Sequence, residues 1–557
     1  MRRMAILTGA VLLAGALLTA PAQAEPYKIL VFSKTAGFRH DSIPAGVQAI
    51  RDLGAGNGFT VNHTEDGAAF TASNLAQYKA VVFLNTTGDV LNATQQTAFE
   101  SYIKGGGGFA GVHSAADTEY DWPFYGGLVG AYFRSHPATQ QAQVKVEDRA
   151  HASTGHLPAT WTRTDEWYNY RTNPRPDLHV LATLDEGSYS GGDMGDHPTS
   201  WCQPYQGGRS WYTGGGHTIA SYGEPAFRTH LLGGIHYAAG VSKADCRPEN
   251  DYTRLLDTTT GWKQAGPGGF AYADGTLSSS GGMGLYWYQA REFSSYSLKL
   301  DWKLTGDDNS GVFIGFPAGD DPWSAVNNGY EVQIDATDAP DKTTGAIYGF
   351  KEPDIAARDT ALNPPGEWNT FELLVQGERL QVFLNGVKIN DFTNTDPARS
   401  LAQGHIGLQN HGDADHVSFR NVRIKAAGSG PRQGQITGVG GKCVDVNGAN
   451  PADGTKIQLW TCNGTAAQAW TLPGDGTIRA LGKCMDVKGG ATANGTPVQV
   501  WTCNGADAQK WTAQANGSLR NPQSNRCLDA SGGSSADGTQ LIIWDCHSGF
   551  NQKWTLP

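Results

Sequence analysis

Beyond residue 24 the chain has no apolar run near the 18 residues that mark a membrane-crossing helix, so no membrane partner is expected for the body of the protein. Basic charge is scarce and scattered: 42 Lys and Arg stand against 53 Asp and Glu, for a net charge of -11. A nucleic-acid surface needs basic residues concentrated on one face, so nucleic acid is not an expected partner either. No cysteine lies near the start of the chain, which excludes a lipid anchor there. What the sequence has in quantity is glycine (73), tryptophan (16) and tyrosine (20), with only 17% charged residues.

Arg2 and Arg3, the apolar stretch Ala5 to Leu18 and the small-x-small site Ala22-Gln23-Ala24 predict a secretory signal peptide over residues 1–24. The expected location is therefore outside the cell, as a secreted protein. In that compartment eight cysteines, an even number, predict disulfides. The remainder is too long for one hydrophobic core, and three textures divide it. Residues 27–240 alternate strands and helices, 251–426 are short alternating strands, and 433–557 are a Gly/Asn-rich repeat. The boundaries fall at 241–250, which contains Pro248, and in the small flexible run Ala426-Ala427-Gly428-Ser429-Gly430-Pro431-Arg432.

The C-terminal segment contains three superimposable units. They run Cys443-Val-Asp445, Trp460-Thr-Cys462 and Gln468-Ala-Trp470; then Cys484-Met-Asp486, Trp501-Thr-Cys503 and Gln509-Lys-Trp511; then Cys527-Leu-Asp529, Trp544-Asp-Cys546 and Gln552-Lys-Trp554. One supersecondary unit is thus used three times around a shared core. The second Cys lies 19 residues beyond the first in every unit, which predicts the bridges Cys443–Cys462, Cys484–Cys503 and Cys527–Cys546. The Gln-x-Trp and Cys-x-Asp marks resemble the ricin B-type lectin family, a β-trefoil. The resemblance implies that Asp445, Asp486 and Asp529 accept hydrogen bonds from vicinal sugar hydroxyls while Trp460, Trp501 and Trp544 stack on the apolar ring face. It also implies an Asn before the Gln of the triplet; only the third unit has one, Asn551, where the others carry Ala467 and Ala508. The expected partner is an oligo- or polysaccharide, with galactose- and xylose-type glycans among the candidates. Trp470, Trp511, Trp554 and the three glutamines are assigned to the core.

In the middle segment, period-two alternation predicts strands over 296–304, 311–316, 330–335, 371–376 and 379–384, and Asn385-Gly386 predicts a hairpin. The class is an all-β jelly roll. Glu331, Gln333 and Asp335 share one face of a strand, which by itself suits a solvated outer face. Yet polar, Gly-bearing clusters recur: Asn309-Ser310-Gly311, Gly345-Ala346-Ile347-Tyr348-Gly349 and Gln409-Asn410-His411-Gly412. With Gly329-Tyr330-Glu331-Val332-Gln333, Gly366-Glu367-Trp368-Asn369 and Leu384-Asn385-Gly386, these resemble the 3-keto-disaccharide hydrolase domain, a concanavalin-like fold. The resemblance implies cleavage of glycosides oxidised at C3. Such a ketone acidifies the C2 hydrogen, so the site needs a general base and a donor or metal at the enolate oxygen. Glu331 is the leading base, with Gln333, Asn309, His411 and Tyr348 holding the ketone and hydroxyls. The competing assignment makes His411 the base and gives Glu331 to a metal or a sugar hydroxyl.

In the first segment, strands at Tyr27 to Phe32, Ala80 to Leu84 and Phe109 to Val112 alternate with a helix ending near Asp52 and another over 93–104. That alternation predicts a mostly parallel, doubly wound sheet whose ligands gather at the carboxyl ends of its strands. His40 and His113 follow strands there. Together with Glu166 of Asp165-Glu166-Trp167-Tyr168, His197 and His217, they are expected to line one cleft. It would bind sugar hydroxyls directly or hold a divalent metal, the candidate ligands being His40, His113 and His217. These motifs resemble the ThuA-like family, associated with trehalose utilization, whose flavodoxin-like fold is close to class I glutamine amidotransferases. Amidotransferase chemistry does not follow, because the nucleophile turn holds Gly111-Val112-His113-Ser114 and no cysteine. Cys202 and Cys246 are expected to pair.

The favoured expectation is an exported, modular glycoside-processing enzyme, a hydrolase held on glycan by its trefoil. One rival is a carbohydrate-binding protein without catalysis. A second is a metal-dependent sugar-active enzyme whose chemistry lies in the ThuA-like domain.

Overall fold

The computed structural model describes residues 26–335, 337–427, 432–473, 476–514 and 516–557. The expected leader and the centre of the second linker, residues 428–431, lie outside them. The chain forms two compact units that divide between Asn250 and Asp251.

The first unit is built on a nine-stranded sheet. Its strands are β1 (Tyr27–Phe32), β2 (Phe59–Thr64), β3 (Ala80–Leu84), β4 (Gly108–Val112), β5 (Gln140–Val146), β6 (Thr160–Asp165), β7 (His179–Leu184), β8 (Pro198–Tyr205) and β9 (Gly208–Thr213). Their order is β2-β1-β3-β4-β9-β8-β7-β5-β6. The half from β2 to β9 is parallel, and from β9 outward every pairing is antiparallel. Strands β3 and β4 are wholly buried, which explains their unbroken apolar sequences AVVFL and GFAGV. Alternate residues of one strand feed opposite cores: Ile29 and Val31 pack with Ile43, Val47 and Ile50 of α1 (Ile43–Gly56), whereas Leu30 and Phe32 pack with Phe99 and Ile103 of α2 (Ala93–Lys104). Helix α2 begins where Asn92 caps the Gln95 amide and the Gln95 side chain returns the bond to Asn92. A third helix, α3 (Pro225–Ala238), joins α1 through Phe227, Leu231 and Ile235. The result is a three-layer, flavodoxin-like α/β fold, with the carboxyl ends of β1, β4 and β9 at one edge.

The second unit starts with a jelly roll. A five-stranded antiparallel sheet contains β10 (Trp262–Ala265), β11 (Gly284–Tyr288), β12 (Asn309–Phe316), β13 (Tyr330–Asp335) and β14 (His405–Asn410), ordered β10-β11-β14-β12-β13. Val312, Ile314, Val332, Ile334, Ile406 and Leu408 point from it into a core shared with Leu298, Leu300, Trp302, Phe371 and Leu373 of the facing sheet. The expected hairpin forms in that facing sheet: Asn385 and Gly386, at φ 46° and 85°, join Arg379–Leu384 to Val387–Thr393. The other face of the five-stranded sheet carries the alternate residues. Trp287, Phe313 and Phe316 form a small apolar patch there, beside Glu331, Gln333 and Gln409.

The trefoil follows from the repeat. Each Gln-x-Trp tryptophan is buried and donates its indole N–H to the backbone of its own unit: Trp470 to Val444 at 2.7 Å, Trp511 to Met485 at 3.1 Å and Trp554 to Leu528 at 3.0 Å. Gly454, Gly495 and Gly538, at φ near 85°, each donate an amide to the next unit, to Val500, Ile543 and Leu459 respectively. Only glycine adopts that backbone without strain, hence the repeated Gly-Thr. All four expected disulfides are present: Cys202–Cys246, Cys443–Cys462, Cys484–Cys503 and Cys527–Cys546.

Candidate functional site

Three groups of polar residues stand apart, one per domain. In the jelly roll, register puts Gln333 of β13 opposite Gly311 of β12, one step along from Gln409 of β14. Glu331 lies on the same face, over Gly311: a Cβ added there would stand 2.2 Å from Glu331 Oε1. Gly311 is therefore the residue that makes room for the carboxyl. The outer-face alternative for this strand fails, since Glu331, Gln333 and Asp335 are 9%, 1% and 5% exposed. Burial drives the Glu331 carboxyl up to about 8, against a smaller opposing effect of the hydrogen bond from Gln409. Glu331 Oε1, Gln333 Oε1 and Gln409 Oε1 are buried without a hydrogen-bond partner. Three such acceptors on one small patch would each cost about 1–3 kcal/mol if nothing came to meet them, so the patch is built for a ligand rich in donors.

The other candidates of this domain sit around that centre. Asn309 donates its side-chain amide to Asp335 at 3.0 Å and its backbone amide to Asp415 at 2.9 Å. His411 is past the end of β14, half-exposed, with Nδ1 2.9 Å from Asp415. Tyr348 donates its backbone amide to the Glu331 carbonyl, and its ring is 41% exposed with the Lys342 ammonium above it. Of the Gln409–Gly412 cluster the sequence singles out His411, but the residue against Glu331 is Gln409. Its place one step from Gly311 is a property of sheet register, which the sequence does not display.

In the first unit the segments after β1, β4 and β9 bring His40, His113 and His217 together with Glu166, which follows β6, and one donor atom from each lies within 4.8 Å of the others. His113 follows β4 at φ 51°, a conformation held by its carbonyl, which accepts from Tyr212 Oη. Its Nδ1 lies 2.9 Å from the Gly214 carbonyl, which turns Nε2 toward Glu166 Oε2 at 3.4 Å and His217 Nδ1 at 3.2 Å. His217 Nδ1 is 3.2 Å from the same Glu166 oxygen. His40 packs edge-on against both rings, with Phe38, 67% exposed, against it in turn. Burial and the neighbouring histidines lower the His40 imidazole to about 3. Burial opposes the charge on Glu166, but the His113 and His217 rings beside it outweigh burial and hold the carboxyl well below the usual range.

Two residues complete this cluster without having been drawn into it from sequence. His136 reaches Glu166 Oε1 at 3.0 Å from a half-exposed position. Asp165, fully buried beside Arg163 at 2.7 Å, accepts from the amides of Gly216 and His217 and so fixes the loop that presents His217. Asp165 belongs to the polar tetrad that supplied Glu166, whereas His136 has only the following Pro137 as a sign. His197 is not brought into the cluster; Nδ1 pairs with Glu186 and Nε2 with the Tyr168 carbonyl, both at 2.8 Å.

In the trefoil, Trp460, Trp501 and Trp544 are 39%, 40% and 42% exposed, each cross-strand from its unit's first cysteine. Asp445 accepts from Gln458 and Gln468, and Asp486 from Gln499 and Gln509. The third unit differs: Ile542 replaces the strand glutamine, and Asp529 Oδ2 accepts from both Asn551 and Gln552 at 2.8 Å. His547 stands 3.5 Å from that oxygen, and Phe550, 65% exposed, occupies the place of Ala466 and Asp507.

Comparison with known proteins divides the chain in the same way. Residues 28–238 match the ThuA trehalose utilisation family, 251–425 a 3-keto-alpha-glucoside-1,2-lyase-like domain, and 432–554 the ricin-type beta-trefoil lectin domain. A glucan endo-1,3-beta-glucosidase of Cellulosimicrobium cellulans is 56% identical over 39 residues, which is 7% of this chain and 7% of that relative's length. A ThuA-like protein from Bacteroides uniformis aligns at a TM-score of 0.35 and 22% identity, over 40% of this chain and 95% of its own. A glycosyl hydrolase from Parabacteroides distasonis aligns at a TM-score of 0.28 and 24% identity, over 32% and 100%.

Proposed function

We propose that this chain is an exported glycoside-processing enzyme that cleaves glycosides oxidised at C3, with the trefoil holding it on glycan. A glycan-processing role follows from a keto-glucoside-lyase-like domain joined to a lectin domain. The finer reading is carried by one observation: a buried carboxyl, raised to about 8, with an unpartnered oxygen amid unpartnered amide oxygens. A base of that strength takes a carbon-bound proton better than an ordinary carboxylate does.

In the reaction, Glu331 accepts the C2 proton that the adjacent ketone acidifies. The electron pair left behind forms the C1–C2 double bond, the C1–O bond breaks, and the aglycone oxygen leaves with its electrons and takes up a proton. Water then adds at C1, releasing a proton that balances the one taken up by the aglycone, and Glu331, its own proton by then exchanged with solvent, protonates C2. Gln333 and Gln409 accept from the ring hydroxyls through their unpartnered amide oxygens, and Asn309, which gives one side-chain N–H to Asp335, has a second for the enolate oxygen. Export is supported by four disulfides, and among the described residues no helix is long and apolar enough to cross a membrane.

The test is a disaccharide oxidised at C3, incubated with the full chain in D2O. Release of reducing sugar carrying deuterium at C2, lowered about 10²–10⁴-fold in Glu331→Gln, is the expected result. No release, or release without deuterium, removes the reading. If instead His411→Ala abolishes turnover while Glu331→Gln spares it, His411 is the base.

A further inference from the structure

The cluster at the carboxyl ends of β1, β4 and β9 carries a separate inference, independent of the reading of the jelly-roll site. His113 Nε2, His217 Nδ1 and Glu166 Oε2 form a triangle with sides of 3.2, 3.2 and 3.4 Å. Three ligands of a tetrahedral ion with bonds of about 2.0–2.1 Å stand about 3.3 Å apart. The triangle has that edge on all three sides. Hydrogen bonding accounts for it poorly. With His113 Nδ1–H committed to the Gly214 carbonyl, a neutral His113 presents a bare lone pair at Nε2, facing a carboxylate oxygen and a second imidazole nitrogen. Three acceptor atoms then converge, with at most the single proton of His217 Nδ1 to share. A cation at the centre of the triangle removes that conflict.

We propose that His113, His217 and Glu166, joined by His40, hold a divalent first-row transition ion, with Zn2+ the best match. Three imidazoles and one carboxylate are the donors such an ion selects, whereas Mg2+ and Ca2+ prefer sites made of oxygen. The supports of the ligands are those of a metal site. His113 is oriented through Nδ1 by a backbone carbonyl, the His217 amide is held by buried Asp165, and the second Glu166 oxygen is engaged by His136. His113 and His40 are sealed from solvent, but the His217 and His136 side chains are 25% and 42% exposed. The ion would therefore be reached from that side, bordered by the exposed ring of Phe38.

The experiment uses the untagged full chain, stripped with a chelator and titrated with Co2+, then with Zn2+ as competitor. One Co2+ per chain, with the intense visible absorption of a four-coordinate ion displaced by one equivalent of Zn2+, is the expected result. Glu166→Gln and His217→Ala, checked for folding by circular dichroism, should weaken binding by roughly a hundredfold or more, and His411→Ala in the other unit should leave it unchanged. The proposal is overturned if the stripped chain takes up neither ion, or if both variants bind as the parent does. It is equally overturned if His411→Ala is the change that abolishes binding. None of these readouts uses a sugar substrate, so failure here is distinguishable from failure of Glu331 as the base.

Discussion

Replacing Glu331 by Gln should make the jelly roll more stable while it destroys the activity proposed for it, and the size of the gain should depend on pH. Burial lifts the carboxyl to about 8 in the folded chain, against an ordinary 4.5. A raised pKa means that the folded state holds the proton more tightly than the unfolded state does. Below pH 4.5 both states are protonated and nothing is lost. As pH rises, the unfolded chain ionises freely while the folded one does not, and stability falls until the folded group ionises too, near pH 8. At 1.36 kcal/mol per unit, the loss is about 2 kcal/mol at pH 6 and about 4 kcal/mol at pH 8. Glutamine keeps the shape and does not titrate, so the advantage of Glu331→Gln over the parent should grow by about 3 kcal/mol between pH 5 and pH 8. For a domain of this size that is roughly 6–12 °C in Tm. Differential scanning calorimetry of the full chain at several pH values identifies the jelly-roll transition as the one the substitution moves. In parallel, kcat/KM of the parent on the oxidised disaccharide should rise about tenfold per pH unit and level off above about pH 8. A transition whose pH dependence is the same in both proteins would refute the reasoning, because Glu331 would then titrate as an ordinary carboxyl.

Three further outcomes follow from the geometry. In the trefoil, Asp529→Ala or Trp544→Ala should weaken retention on a galactosyl or xylan matrix by about tenfold or more, and the equivalent changes in units one and two by less, since only Asp529 is joined by Asn551; affinity electrophoresis would read it. Asp165→Ala should cost about 3–5 kcal/mol in a urea melt, because it leaves the Arg163 guanidinium, 3% exposed, with Glu224 as its remaining carboxylate and strips the Gly216 and His217 amides of their acceptor. Removing Cys202 and Cys246 together should cost about 4 kcal/mol, and any one trefoil bridge about 3 kcal/mol, following the loops of 44 and 19 residues that they close.

Much of this fold is legible because local signals and tertiary demands agree. The helix over 93–104 has its cap at Asn92 and its stop at Gly105, and both are used. The trefoil repeats its instructions three times, so chance agreement is eliminated by the spacing itself. The antiparallel half of the first sheet is less legible: β5 reads QQAQVKV, polar enough to pass for a loop, and becomes a strand because β6 and β7 flank it. The same limit applies to chemistry. Alternation puts Glu331, Gln333 and Asp335 on one face, but a charged period-two pattern looks the same on a solvated face and on a buried one. The difference lies in Gly311 across the ladder, whose missing side chain lets the carboxyl lie down out of water.

That contrast explains why the domains differ in how far their residues announce a role. A lectin surface works by exposure, so its half-exposed tryptophans recur in a short motif whose spacing can be read directly. A proton-transferring carboxyl works by being removed from water, and that removal is supplied by strands distant in sequence: β12 provides the space, β14 the amide of Gln409 and β13 the carboxyl itself. The cost in stability that burial of Glu331 imposes at neutral pH is only partly offset within the fold, where Gln409 gives the carboxyl a hydrogen bond and its Oε1 has no partner. A group kept at such a cost, facing unsatisfied amide oxygens, is what a site held ready for a substrate would look like before the substrate arrives. The first unit gives a different answer, since there the carboxyl of Glu166 lies within 4.8 Å of imidazole nitrogens of His40, His113 and His217, a donor set suited to a cation and not to a carbon-bound proton.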